Sequence, residues 1–261
     1  MKQNCTKIFL AVALTGILML AGCQLKQKGG NAGYRITQVG GKMIGMDSTW
    51  DAHPDSNAVA LLAPYKEVID KMYDVIGVST EKMDKGRPES LLSNLVAEVV
   101  RQAAVKVLKK PADMGLVNMG GLRSILPAGD ITEANVYEIL PFENSLCVMT
   151  MKGVYMKDLL TSIASLNGEG VSGIRMEITE AGKLLNATIG GSPIDDNKLY
   201  TVATIDYLAD GNGSMDAFLQ AEKRECPENA TLRDIFIEYV KTQTAAGKKI
   251  TSKLDGRITV K

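Results

Sequence analysis

Three short stretches of the 261-residue chain hold the residue types that could do chemistry. The first, Asn118-Met119-Gly120-Gly121-Leu122-Arg123, sets an amide and a guanidinium on either side of two glycines. Paired glycines let a ligand approach the main chain, whose N–H groups can face an anion. Arg123 presents a planar fork of donors that suits a phosphate or a ribose diol. The other two are Pro141-Phe142-Glu143-Asn144 and Asp206-Tyr207-Leu208-Ala209-Asp210-Gly211-Asn212-Gly213, each with one aromatic ring beside turn residues. Taken singly, each stretch has a plainer reading. Gly-Gly-x-Arg is an ordinary strand-end turn with a solvated arginine, and Phe142 or Tyr207 is a core aromatic.

Residues for bond-making catalysis are scarce. The chain has one histidine, His53, in Asp51-Ala52-His53. No further metal-ligand motif follows it, and it reads as a loop residue. A Gly-x-Ser-x-Gly elbow and a Walker loop are both missing. No Cys/His spacing suggests zinc. The sequence therefore offers no catalytic and no metal-ligating set.

The elements that must position the three stretches follow from periodicity. Residues 58–73 read as a helix, with Leu61, Leu62, Tyr65, Val68, Ile69 and Met72 at three- and four-residue steps; Pro64 sits in its first turn or kinks it. Residues 75–79 suggest a short strand. Residues 89–109 form the strongest helix, with a stripe of Leu92, Leu95, Val96, Val99, Ala103 and Val107, closed by Lys109, Lys110 and Pro111. Residues 114–119 read as a buried strand ending in the glycine turn. A short helix over 132–140, capped by Thr132, a strand over 146–151 and a helix over 154–166 come next. The pattern then turns β at 173–179, 183–189 and 200–205, before a last helix over 231–244 and a strand over 257–260. Strands cluster instead of alternating with helices, so the expected class is α+β, with mixed β-sheets layered with helices.

The N-terminus carries an address. Lys2 and Lys7 precede an apolar run over residues 8–20, and Leu20-Ala21-Gly22-Cys23 is a lipobox. A basic start, apolar core and small-residue cleavage site mark a secretory signal. The run is too short for a membrane span of about 20 residues. Residues 1–22 are thus expected to be a lipoprotein signal and Cys23 the lipidated residue. The expected place is a bacterial cell envelope, periplasmic or surface-facing, with membrane affinity supplied by acyl chains. Residues 23–53 read as a flexible tether with a short strand near 34–41, and residues 54–261 as one domain.

Composition narrows the partners. Apolar residues make up 45% of the chain, enough for a core, and 30 basic residues balance 30 acidic ones. That balance argues against a nucleic-acid binder, which shows a basic excess. Cys5 leaves with the signal. Cys147 and Cys226 remain in an oxidising compartment where pairing is permitted, but spacing does not fix their geometry. Two separate buried thiols is the slightly preferred reading.

The order and spacing of the three stretches resemble the C-terminal, substrate-binding domain of the 5′-nucleotidase and UDP-sugar hydrolase family. That family has Asn-Gly-Gly-Gly-Ile-Arg, then Pro-Phe-Gly-Asn, then Phe followed by Gly-Gly-Asp-Gly. The resemblance covers residues 54–261. It implies the family's fold and a nucleotide or nucleoside ligand. Phe142 and Tyr207 match the aromatics that sandwich the base. Asn118 matches the residue bonding the base edge, beside Gly120 and Gly121. Arg123 matches one reaching ribose and phosphate, and Asn144 one that orients its loop. Met119 stands where the family has glycine, adding bulk beside the ligand. The ribose-binding aspartate aligns with Gly213, between Asp210 and Asp216, and Arg87 lies near a further family arginine.

The resemblance does not extend to the family's dinuclear metallophosphoesterase domain. What it implies is a nucleotide-binding subunit of a split 5′-nucleotidase-type phosphohydrolase. No cofactor is expected in this chain, and divalent metals are expected on a separate metallophosphoesterase subunit. A non-catalytic lipoprotein that captures nucleosides or another small ligand is the alternative.

Overall fold

The computed structural model describes residues 38–45, 47–49, 52 and 54–261. The chain divides into two compact units, residues 1–55 and residues 56–261. The signal, Cys23, His53 and residues 34–37 of the expected strand lie outside the described residues. Residues 38–41 are exposed and form no strand. At 47–49 the chain turns, with Asp47 accepting from the N–H (3.0 Å) and hydroxyl (2.5 Å) of Thr49.

The second unit runs α1 (Ser56–Met72), β1 (Val75–Ser79), α2 (Leu91–Ala103), α3 (Val105–Leu108), β2 (Met114–Val117), a 3-10 turn at Met119–Gly121, β3 (Gly129–Thr132), α4 (Glu133–Ile139) and β4 (Leu146–Lys152). It continues with α5 (Gly153–Ser165), β5 (Gly170–Ser172), β6 (Ile174–Ile178), β7 (Leu184–Ile189), β8 (Ser192–Pro193), β9 (Leu199–Ile205) and α6 (Asp206–Ala209). A 3-10 turn at Asp216–Gln220, β10 (Lys223–Glu225), α7 (Leu232–Ala245) and β11 (Ile258–Val260) complete it. The strands form sheets of order β10-β4-β9-β2-β5, β11-β6-β7-β8 and β1-β3. Parallel pairing of β2 with β9 beside antiparallel β4–β9 makes the central sheet mixed. This is the expected α+β class.

The central sheet carries the core. β9, Leu-Tyr-Thr-Val-Ala-Thr-Ile, is rich in β-branched residues that suit a pleated, buried surface, and Val202 to Ile205 are all buried. α2 lies against β2 and β5, burying Leu92, Leu95, Val96 and Val99. The approach is close enough that a Cβ on Gly115 would stand 2.3 Å from the carbonyl oxygen of Ala97. Only glycine admits that contact.

Some boundaries differ from the periodicity. The helix expected over 89–109 breaks at Ala104, and Lys109 ends α3 in the left-handed region at φ 60°. Pro64 lies in the interior of α1, past its first turn. The stripe of α1 is exposed, with Leu61 at 73% and Ile69 at 45%. Thr132 does cap α4: its hydroxyl accepts the N–H of Asn135, whose side chain accepts the N–H of Thr132. Cys147 and Cys226 are joined by a disulfide, not left as separate thiols. β4 and β10 explain why. Glu225 stands opposite Val148, so the next pair in the ladder is Cys226 opposite Cys147.

Candidate functional site

The three stretches converge at one end of the central sheet. β2 runs into the 3-10 turn that carries Asn118, Gly120 and Gly121. The Phe142 loop enters β4, and Tyr207 sits on α6 directly after β9. β2, β4 and β9 are neighbours, so their ends meet. Asn118, Gly120, Gly121, Phe142, Asn144 and Tyr207 line one cavity of about 380 Å³. An apolar recess of Val117, Leu122, Leu140, Ile205 and Leu232 adjoins it.

The cavity lining contains no carboxylate, amine or guanidinium. It offers two rings, two amides and bare main chain, which suits a flat, neutral, hydrogen-bonding group. Phe142 is 48% exposed and Tyr207 43%, whereas Phe218 and Phe236 are at 1% and 0%. The two site rings are therefore not core aromatics. Arg123 is not among the lining residues. It is exposed, and its Nη1 donates to the carbonyl of Gly120 at 3.3 Å. Met119 adds no bulk to the cavity: its side chain is buried at 4% and lies outside the lining.

Two buried charges hold the walls, and neither was marked by the sequence. Glu169, 4% exposed, accepts the backbone N–H of Met119. Its other oxygen takes Arg87 Nη2 at 2.5 Å, and Arg87 Nε donates to the carbonyl of Gly168 at 2.7 Å. Burial raises the Glu169 carboxyl above its ordinary value, and the Met119 N–H and Arg87 oppose that. Arg87 is thus engaged with the support of the turn and does not line the cavity. Arg233, 6% exposed, does the same for the Phe142 loop. Its guanidinium donates to the carbonyls of Leu140 (3.4 Å) and Pro141 (3.5 Å) and pairs with Glu143. It also lies 4.1 Å from the ring centroid of Tyr137. Glu143 occupies the position where the resembled motif has glycine, and Arg233 gives that carboxylate a partner. In the sequence Arg233 falls off the Leu232, Ile235, Phe236 stripe, and Glu169 is a lone acid between glycines, so neither gives a signal.

A larger cavity, about 640 Å³, lies between Arg101, Asp113, Lys198 and the Gly190 turn. Its central charges are occupied: Arg101 binds Glu98 and Ser172, and Asp113 accepts from Thr201. Size alone does not make it the better site. Among the described residues no group of three or more His, Cys, Asp or Glu could hold a metal ion.

Comparison with known proteins agrees with this architecture. The family model described as 5′-nucleotidase, C-terminal domain matches residues 75–220. The chain belongs to that family. It is 25% identical over 188 residues to Protein UshA of Escherichia coli, covering 69% of this chain and 34% of that one. It is 28% identical over 197 residues to the NAD 5′-nucleotidase of Haemophilus influenzae, covering 63% and 32%. The crystal structure of a 5′-nucleotidase precursor from Thermus thermophilus superposes with a TM-score of 0.67 at 27% identity, covering 80% of this chain and 44% of that one. The chain spans less than half the length of each of these relatives.

Proposed function

We propose that this chain is the nucleotide- or nucleoside-binding part of a 5′-nucleotidase-type phosphohydrolase acting in nucleotide catabolism. The observation that carries the reading is the convergence of six residues, singled out from three separate stretches, on one uncharged cavity. The base enters between Phe142 and Tyr207, with Asn118 and Asn144 supplying polar groups at its edge. Two stacked faces at about 1–3 kcal/mol each suit a site tolerant of different bases. The sugar and phosphate point outward, because no cation lines the cavity floor. Arg123, one turn away beside Gly120, is the nearest guanidinium of the motif and takes the phosphate or the ribose diol.

Hydrolysis is supplied by a metallophosphoesterase on a separate chain, whose divalent ions generate the attacking hydroxide. Cys23 carries the lipid that holds the protein on the envelope membrane. Support for the ligand class comes from the family and from relatives whose names specify nucleotides. The test is calorimetry of the full chain with adenosine and AMP, followed by phosphate release from AMP with manganese, alone and with the partner phosphoesterase. Binding without turnover alone, and a raised kcat/KM of the partner for AMP but not for a small phosphate ester, is expected. Metal-dependent turnover by the isolated chain would overturn the split arrangement, and no binding of either ligand would overturn the nucleotide reading.

A further inference from the structure

Cys226 forms its disulfide from the edge of the central sheet, and the residue two before it reaches the ligand cavity's supporting loop. Arg224 Nε donates to Cys226 Sγ at 3.2 Å, and its Nη1 pairs with Asp210 at 2.5 Å. Asp210 ends α6, the helical turn that bears Tyr207, and its own N–H donates to the carbonyl of Asp206 at 2.9 Å. Beyond Asp210 the chain folds back under the ring. Gly211 and Gly213 both take positive φ, 85° and 66°, and a Cβ on Gly213 would stand 3.6 Å from Tyr207 Cε1. The Tyr207 ring thus rests on a loop whose first residue is gripped by Arg224.

We infer that Arg224 is a positioning residue for the Tyr207 wall, and that the Cys147–Cys226 disulfide keeps Arg224 in place. β10 has three residues and pairs with β4 alone, so its ladder is a weak hold on its own side chains. The disulfide fixes the next position of that ladder to Cys147, which is fully buried in the central sheet. The same β4 leads back to the Phe142 loop. One covalent link therefore sets the two ring-bearing segments in a common frame. The Arg224 and Asp210 side chains are 41% and 54% exposed, so their pair adds little to global stability. Its consequence is local geometry.

This inference rests on the nucleoside reading for its affinity arm and stands without it for its dynamic arm. Hydrogen exchange of the ligand-free full chain should show faster exchange across residues 206–213 in Arg224→Met, with the melting temperature nearly kept; in Cys226→Ser, which also lowers the melting temperature by releasing a loop closed over a sequence separation of 79, exchange at 206–213 should rise more than in the rest of the chain. Asp210→Asn removes the same pair from the other side and serves if Arg224→Met folds poorly. Adenosine affinity should fall up to about fivefold in Arg224→Met, the size of a half-exposed pair. In a Tyr207→Ala background the same change should have no further effect, because Arg224 acts through that ring. Unchanged exchange at 206–213 in these variants overturns the inference whether or not adenosine binds, as does an equal affinity loss in the Tyr207→Ala background. Absence of adenosine binding to the unaltered chain overturns the proposed function instead, and the exchange data still decide the role of Arg224.

Discussion

Glu169 accepts the backbone N–H of Met119, the residue between the cavity-lining Asn118 and Gly120. A buried carboxylate just before β5 thus fixes the main chain of the cavity-lining turn. Replacing it with alanine leaves that N–H and part of Arg87 without a partner. The expected loss is about 2 kcal/mol of stability, the desolvation cost of an orphaned buried donor. Nucleoside affinity should fall as well, because the turn loses its support. Chemical denaturation and calorimetry of Glu169→Ala check both. A variant of unchanged stability would show that the turn holds itself.

Legibility in the sequence followed element length and motif size. α2, α5 and α7 show because several apolar residues recur on one face of a long helix. β3, β5, β8 and β10 span two to four residues each and carry no readable period. The break at Ala104 has no glycine or proline to announce it. Tertiary packing sets it, since the following Val105 turns outward and Ala112 returns to hydrogen-bond the carbonyl of Arg101. The cavity was legible because its residues sit in turn motifs with distinctive chemistry. Glu169, Arg233 and Arg224 were not, since each acts across the chain from an element with no motif of its own. The disulfide belongs to the same class: it depends on a register between β4 and β10 that spacing cannot reveal.

Phe142 and Tyr207 give the most direct test of the cavity. Both are about half exposed, so truncation removes little buried area. Phe142→Ala and Tyr207→Ala should each weaken adenosine binding roughly tenfold, within the range of one lost stacking face. Their melting temperatures should stay within a degree or two of the unaltered chain. Large destabilisation with no change in affinity would return both rings to a packing role.

Arg233 predicts a different split. Its guanidinium is buried and carries the Phe142 loop through two carbonyls and Glu143. Arg233→Met keeps much of the packing volume but leaves those carbonyls without their donor, at a cost of about 1–3 kcal/mol. Glu143→Gln touches the pair from its exposed side and keeps an amide oxygen for the guanidinium, so it should cost less than Arg233→Met. Thermal melts of the two variants measure the asymmetry. Equal effects would mean that the ion pair, not the buried carbonyl contacts, holds the loop.

Two carboxylates should give opposite signatures against pH. Burial pushes Glu98 up, but hydrogen bonds from Arg101, Ser172 and Gln102, with the charge of Arg101, outweigh it and hold its carboxyl below the ordinary 4.5. A lowered folded value contributes stability that is present above 4.5 and is lost as pH falls through the folded value. Glu169 lies the other way, raised chiefly by burial, so the proton-linked part of its contribution is full below 4.5 and is lost as pH rises through the folded value, while its hydrogen bond from Met119 persists. Melting temperatures from pH 7 down to about pH 3 should separate them. The advantage of the unaltered chain over Glu98→Gln should be largest at neutral pH and shrink on acidification. Its advantage over Glu169→Gln should grow on acidification instead. Parallel curves for the two variants would show that neither carboxyl titrates differently in the folded chain, and that the Glu98 network and the Glu169 support of the turn act by geometry alone.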